Sequence, residues 1–449
     1  MSELEQMAQN AVARALSLGA TGAECTFAEG EEFSAGVRMR EVESLKQAGS
    51  RGAGIRVLIG RNIGSSRTSD LTPKGIEEMV RSALDLARVT TEDPHGGLPD
   101  PEELGSLTTP LELYDEGVGT LETEWKIEQA RRAEDVALSA DPRIQNSEGA
   151  AFESYLGTRA FANSLGFHGS YRTSSCGLSV VPVAKDANGA MERDYWHTTA
   201  RKASAIESAE EVGRRAAERA LRRLNPRKIA TQKAPIIFEP RTARSLLGEL
   251  LDTVNGGAIY RHASFLAGKL GEKVASDALT IIDDATLPGL FGSSPFDDEG
   301  AKARRTMVIE KGVLKSYLLN SYSARKLGLK TTGNASRGLS GNAGVGPGNF
   351  YIEAGVLTEE AMIAGVRQGL YITELIGATA NTVTGDYSSG AAGLWIENGE
   401  LAYPVAEITI AGNLKQMLMD LSQVGSNLEF RGSVASPTIM IREMTISGR

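Results

Sequence analysis

Hydrophobic positions along the chain change their spacing repeatedly, and each change of period marks an element. "SELEQMAQNAVARALSLGA" sets apolar residues three and four apart and ends at glycine, the pattern of a helix with a C-terminal stop. "AECTFAEGEEFSAGVRMREVES" and "SRGAGIRVLIGRNIGSSRTSD" shift to strand-like runs broken by glycine, the second predicting a hairpin around "GRN". In "LTPKGIEEMVRSALDLARV", Thr72 is a natural N-cap and Pro73 falls at the first helical position. "EDPHGGLPDPEELG" is rich in proline, glycine and acids, and reads as a linker closing a first α+β unit.

The cycle then repeats. "LETEWKIEQARRAEDVALSA" predicts a helix halted by "DPR", and "AFESYLGTRAFANSLGFHGSYRTSSCGLSVVPVAKD" predicts strands turning at "NSLG". Ser204 and Glu207 have capping-box spacing ahead of a helix running through Leu224. "APIIFEP" reads as a buried strand leading into "TARSLLGELLDTVNGG", Thr242 to Gly257, after which the chain is β-rich with short helices at "TEEAMIAGVRQG" and "NLKQMLMDLSQVG". The expected fold is α+β: an N-terminal α+β domain over residues 1–110, a central one over 111–228, and a larger β-rich C-terminal domain over 229–449.

"TARSLLGELLDTVNGG" reads as a single amphipathic helix ending in glycines, and it raises the question of chemistry. Leu246, Leu247, Leu250, Leu251 and Val254 form its apolar stripe, and Ser245, Glu249 and Asp252 fall on the opposite side. A carboxylate there is a catalytic base or a wet helix face, and periodicity does not choose between them.

Composition narrows the classes. At 449 residues, with 41% hydrophobic and 23% charged, the chain has the make-up of a soluble globular protein of two or three domains. No apolar run approaches the ~18–20 residues needed to span a bilayer, and the acidic start "MSELEQMAQN" is unlike a signal peptide, so a cytoplasmic setting is expected. A net charge of −9 argues against a large nucleic-acid footprint. The one basic run, "RRAAERALRRLNPRK", reads as a solvated helix face. Cys25 and Cys176 form no CxxC and read as core residues in a reducing compartment.

Generic motifs fail on their spacing. "GAGIRVLIG" is not GxGxxG, "GLSGNAGVGPG" lacks the GK[ST] of a phosphate loop and reads as a mobile loop, and "GDYSSGAAG", with Ser388, is not a GxSxG elbow. His95, His168, His197 and His262 stand apart from one another and from any metal-ligand spacing. The densest acids, Asp297, Asp298 and Glu299 in "PFDDEG", suit either a hard metal or a turn facing water.

Three longer stretches are more specific: "SSPFDDEGAKARRTMVIEKGVLKSYLLNSYSARKLGLKTTGNA", "TELIGATANTVTGDYSSGAAGLWIENGELAYPVAEITIAGNL" and "VGSNLEFRGSVASPTIMIREMTISG". In order and content they resemble the TldD/PmbA family, on its PmbA (TldE) branch. The resemblance spans the C-terminal half and, more loosely, the N-terminal elements. It implies a cytoplasmic zinc metallopeptidase system in which TldD-like subunits carry an HExxxH helix, two histidines and a later cysteine binding zinc with the glutamate as base. TldE-like subunits share the fold and pair with them. The implied substrates are unfolded or extended peptides, including leader peptides, taken into an enclosed channel.

Placed on that pattern, "LLGELLDTVNGG" is the HExxxH helix, with Gly248 and Thr253 at the histidine positions and Glu249 at the glutamate. "FRGSVASPTIMI" offers Arg431, Ser433 and Ser436 where the cysteine belongs. A catalytic zinc wants three protein ligands, so no metal or cofactor is expected in this chain, with zinc held by a TldD-like partner. Without the metal, Glu249 loses the acidified water on which it would act. Glu249, Asp252, Asp297, Asp298, Glu299 and Ser388 remain as candidates for a peptide channel or an interface. The expectation is a non-catalytic, channel-forming partner subunit; the resemblance implies dimerisation through the C-terminal domain and leaves homodimer against heterodimer open. An independent homodimeric hydrolase with another site, or a peptide-binding adaptor, are the alternatives. The family's older description as modulator of DNA gyrase suggests a nucleic-acid link, for which the acidic balance gives no direct support.

Overall fold

The first elements follow from caps and turns. The computed structural model describes residues 2–448. Helix α1 (Glu3–Ser17) starts where Ser2 accepts from the Glu5 N–H and the Glu5 side chain reaches back to the Ser2 N–H, satisfying two otherwise orphaned donors. Strands β1 (Gly22–Arg38), β2 (Glu41–Ile59) and β3 (Asn62–Thr68) form an antiparallel meander. Ile59 pairs with Asn62, so Gly60 and Arg61 are the two-residue turn expected at "GRN". Helix α2 (Pro73–Val89) is capped by Thr72 with proline in its first turn, as read from sequence.

A second set follows: short α3 (Glu116–Gly119), α4 (Thr123–Ser139), β4 (Ile144–Asn163), β5 (His168–Lys185), β6 (Met191–Arg193), β7 (Trp196–Ala200) and α5 (Ala209–Leu221). Strand β1 pairs with β2 on one side and β4 on the other, so both sets share one seven-stranded sheet, β3-β2-β1-β4-β5-β6, with β7 also on β5. Side chains alternate across such strands. Cys25, Phe27 and Val37 of β1 point to the face covered by α1 and α2 at one end and by α4 and α5 at the other. On the opposite face, the segment around Arg337 and Leu339 lies over Glu24, Gly52 and Gly54.

The remainder of the chain folds as β8 (Gln232–Phe238), α6 (Pro240–Val254), α7 (Gly256–Tyr260), β9 (Ile281–Asp284), β10 (Arg305–Glu310), β11 (Val313–Leu314), β12 (Ala335–Ser336), β13 (Gly344–Val345), β14 (Phe350–Ile352), β15 (Gln368–Ala380), β16 (Asp386–Glu397), β17 (Glu400–Asn413), β18 (Leu421–Val424), β19 (Val434–Ala435) and β20 (Ile439–Ser447), with short helices at Ser321–Leu327, Glu359–Ala364 and Leu414–Met419. One sheet runs β17-β16-β15-β8-β20-β18, with β17 also pairing with β20, and a second runs β11-β10-β9-β14-β19. The apolar face of α6, Leu246, Leu247, Leu250 and Val254, is buried in the core between them. The fold is α+β.

Four local expectations are corrected. Helix α5 begins at Ala209 with Ser208 as its cap, and Ser204 lies in a preceding 3₁₀ turn. Glu207 is drawn elsewhere, its N–H to the Thr198 hydroxyl and its carboxylate to the Trp196 indole N–H, both at 3.0 Å. The basic run is not one solvated face: Arg214 is exposed and Arg215 half-buried beside Glu211, but Arg219 is buried against Glu239. In "NLKQMLMDLSQVG" the helix stops at Met419, because Leu421–Val424 pair with β20. The double glycine does not simply end α6. Asn255 caps a new helix there, and a Cβ on Gly256 would fall 2.6 Å from the Leu319 and Ser323 side chains.

No described helix is long and apolar enough to cross a membrane. Cys25 and Cys176 are free and buried, as their reading as core residues requires.

Candidate functional site

Strand β8 delivers α6. Ile236, Ile237 and Phe238 are buried and pair with Leu370–Ile372 of β15 and Ile439–Ile441 of β20. Glu239, also buried, sits at the start of the helix, where the Thr242 hydroxyl donates to its carbonyl at 3.0 Å and to that of Ile372 at 3.1 Å. The Glu239 carboxylate meets Arg219 at 2.6 and 3.1 Å, Arg241 at 3.0 Å and Arg222 at 3.2 Å. Burial opposes its charge, and those arginines, Arg219 foremost, outweigh burial and hold it below the usual carboxylate range.

Further along, the positions of the expected metal motif have distinct environments. A Cβ on Gly248 would meet nothing within 4 Å, so the helix has an open notch there. The Glu249 carboxylate accepts the Ala380 N–H at 3.2 Å; burial raises its pKa, and the charge of Asp252 adds to this. Asp252 is exposed, on the wet side. Thr253 is 0% exposed, and its hydroxyl donates to the Leu250 carbonyl at 2.7 Å. Ser436 is buried too, its hydroxyl donating to the Pro437 carbonyl at 2.8 Å. Gly248 therefore offers no donor atom, and the Thr253 hydroxyl is committed inside the core, so these residues do not fit a tetrahedral zinc. Among the described residues no group of three or more His, Cys, Asp or Glu side chains is placed to hold a metal ion.

The acids of "PFDDEG" do other work. Asp297 and Glu299 are buried, so the turn does not face water. The Asp297 carboxylate accepts the N–H groups of Glu299, Ala301 and Ala335, each at 2.9 Å, which occupies the lone pairs a hard metal would need. Glu299 accepts the Ser321 N–H at 2.9 Å. Asp298 pairs with Arg159 of β4 at 2.8 Å and accepts the Arg337 N–H at 2.7 Å. Arg337 in turn binds Glu24 of β1, which holds Arg56 of β2 at 2.7 Å. This cluster joins the C-terminal half to the N-terminal sheet. Ser388 is exposed on β16 opposite Thr379, one residue from the Ala380 N–H that Glu249 binds.

A site not read from the sequence lies on the face of the N-terminal sheet opposite α1, α2, α4 and α5, beyond the part that Leu339 covers. A groove of about 880 Å³ runs over Ser34, Lys46, Glu153, Ser175 and Thr199 to His197, Arg244 and Arg431. Arg244 and Gly248 are four residues apart on α6 and share a helix face, and the Arg244 guanidinium reaches within 4.0 Å of where a Gly432 Cβ would stand. Burial, then the charges of Arg431, Arg244 and Arg241, push His197 down to about 4, so it is neutral at pH 7. His168, by contrast, is a hydrogen-bonded surface residue, 2.5 Å from Glu5. The groove's residues come from β1, β2, β4, β5, β7, α6 and the segment after β18. No spacing in the sequence marks them, because the sheet brings them together.

Comparison with known proteins bears on the whole chain. Residues 23–87 match PmbA/TldA metallopeptidase domain 1, residues 116–224 the central domain and residues 231–448 the C-terminal domain of the same family. The chain is 40% identical to the metalloprotease PmbA of Escherichia coli O157:H7, over 98% of this chain and 96% of that one. It is 36% identical to a metalloprotease PmbA homolog of Haemophilus influenzae, over 99% and 96% of the two chains. A crystal structure from Bacteroides thetaiotaomicron, described as a candidate modulator of DNA gyrase, superposes with a TM-score of 0.92 at 29% identity over the full length of both. That of TldE from Thermococcus kodakarensis shares the fold, with a TM-score of 0.88 at 22% identity over 98% of this chain and 100% of that one. The chain belongs to the PmbA/TldD metallopeptidase family.

Proposed function

We propose that this chain is the TldE-type subunit of a two-subunit cytoplasmic peptidase acting on unfolded or leader peptides, and that it supplies channel wall while a TldD-like partner supplies the zinc. The observation that carries this reading is on α6. The notch at Gly248 and the buried, committed hydroxyl of Thr253 leave Glu249 without a metal to acidify its water. The open sheet face and its groove support a role in holding extended chain.

The test is to purify this chain alone and with a TldD-like subunit, measure zinc per chain, and follow cleavage of an unstructured peptide. The expected result is no stoichiometric zinc and no cleavage by this chain alone, a mixed complex on size exclusion, and faster cleavage by the mixture than by the TldD-like subunit. Glu249→Gln leaves the rate of the mixture unchanged. Stoichiometric zinc in this chain, with activity abolished by Glu249→Gln, would overturn the reading.

A further inference from the structure

The groove over the N-terminal sheet ends at a guanidinium that nothing among the described residues neutralises. Arg244, half-buried in the second turn of α6, lines both this groove and a cavity of about 270 Å³ behind it. It makes no hydrogen bond or ion pair with any described residue. The other arginines of that wall are engaged. Arg241 binds Glu239 and Asp194, Arg219 and Arg222 bind Glu239, and Arg431 binds Glu207 at 2.6 Å and Glu429 at 2.7 Å. His197, uncharged between them, adds no competing charge and presents a ring nitrogen. An arginine with five N–H donors in a partly desolvated wall is matched by a carboxylate, which it binds through two parallel hydrogen bonds.

We propose that Arg244 binds the carboxylate of a short extended peptide lying across the open sheet face of this chain. The proposal deepens the reading of the chain as a peptide-handling subunit and rests on it. Three features of the groove favour a peptide. Ser34, Ser175, Gly177, Ser179 and Thr199 form its floor; these small side chains admit a backbone closely and offer hydroxyls to any main chain, with no demand on sequence. From Lys46 on β2 across β1, β4 and β5 to His197 on β7 there are four inter-strand steps, ~19 Å at ~4.8 Å each, the length of about six extended residues. Glu32 stands at the far end, 3.8 Å from Lys46, and Glu153 midway along on β4, so the groove repels a polyanion and its far end suits the amino end of a peptide. Nucleotides and nucleic acid, which place several phosphates along their length, are disfavoured by those two carboxylates.

The experiment is calorimetric titration of the purified full chain with three six-residue alanine–serine peptides: one with a free C-terminus, the same peptide amidated, and an amidated version ending in aspartate. The free acid is expected to bind about tenfold or more tighter than the amide. Arg244→Gln should abolish that difference by weakening the free acid alone, and Arg244→Lys should restore part of it. If the amidated aspartate peptide binds as the free acid does, any carboxylate at that position serves. If it binds like the plain amide, the site reads the C-terminus. Either pattern supports the site and names its source. Equal binding of acid and amide by the wild-type chain, equal weakening of both by Arg244→Gln, or no binding of any peptide overturns it. Because the titration uses this chain alone, its failure is separate from failure of the partner reading, which is judged by cleavage in the mixed complex.

Discussion

Arg219 and Glu239 meet through Nη2 and Oε1 at 2.6 Å, both buried, and so tie α5 of the N-terminal sheet to the first residue before α6. Asp194, buried in the same cluster, accepts from Arg241 at 3.1 Å and lies 3.3 Å from Arg219. Removing one partner of such a network leaves the others charged and desolvated. Glu239→Gln is expected to lower unfolding free energy by about 3–5 kcal/mol, read as a shift in urea midpoint. The sign with pH follows from the lowered carboxyl: its stabilisation is full above the ordinary carboxylate range and is lost as pH falls through the folded pKa. The variant should therefore lose less stability than wild type on acidification, and an equal loss would assign the acid sensitivity to other groups.

Asp283 presents the opposite case. One of its oxygens accepts the Asn334 side-chain N–H at 2.7 Å, while the other is buried with no hydrogen-bond partner among the described residues. Burial pushes the group up to about 7. A carboxyl with a raised folded pKa binds more protons folded than unfolded, so stability falls as pH rises from about 4 through about 7. Asp283→Asn keeps the shape and removes the charge. The variant should match wild type near pH 3.5 and exceed it near pH 9 by on the order of a few kcal/mol, measured by urea unfolding at both pH values. Parallel curves for the two proteins would show Asp283 to be ionised throughout.

Gly54 of β2 lies directly under the segment that follows Arg337. A Cβ there would overlap the Leu339 carbonyl, and one on Gly52 would fall 2.6 Å from the Leu339 side chain. That segment carries the Arg337–Glu24 pair joining the two halves. Gly54→Ala should lift residues 337–340 from the sheet, seen as faster amide exchange there, and cost about 1–3 kcal/mol as an overpacking change. Unchanged exchange in that segment would mean that the strand, and not the loop, gives way.

Local physics made much of the fold readable. Thr72 and Pro73 set α2, the "GRN" turn set β2 and β3, and the continuous apolar run in "APIIFEP" marked a buried strand, since each needs only neighbours in sequence. Joining β1 to β4 is a long-range pairing with no local signature, so the shared sheet was not foreseen. The same holds for the site. Resemblance located Gly248, Glu249 and Thr253 on α6, but the inward turn of the Thr253 hydroxyl depends on Leu250 and the core beneath it. Asp297 and Glu299 read equally well as a wet turn, because burial against Ala335 and Ser321 is decided by chain far away. Arg244 was invisible for the same reason: an unpaired arginine differs from a paired one only in three dimensions.

The notch at Gly248 gives the sharpest test of what α6 has become. A glycine inside a helix costs roughly 0.5–1 kcal/mol relative to alanine, and here a Cβ would enter open space. Gly248→Ala should therefore stabilise the chain by about that amount, measured as a higher urea midpoint. Gly248→His should fold as well, yet not recruit zinc, because the partner position Thr253 is sealed in the core with its hydroxyl on Leu250. Adding Thr253→His forces an imidazole into packed space, at a cost of about 1–3 kcal/mol, so the double variant should be less stable than either parent and still bind zinc poorly. Tight, stoichiometric zinc in the double variant, by metal analysis after dialysis, would show that the α6 backbone remains poised for the metal and that only two side chains separate this chain from a zinc site.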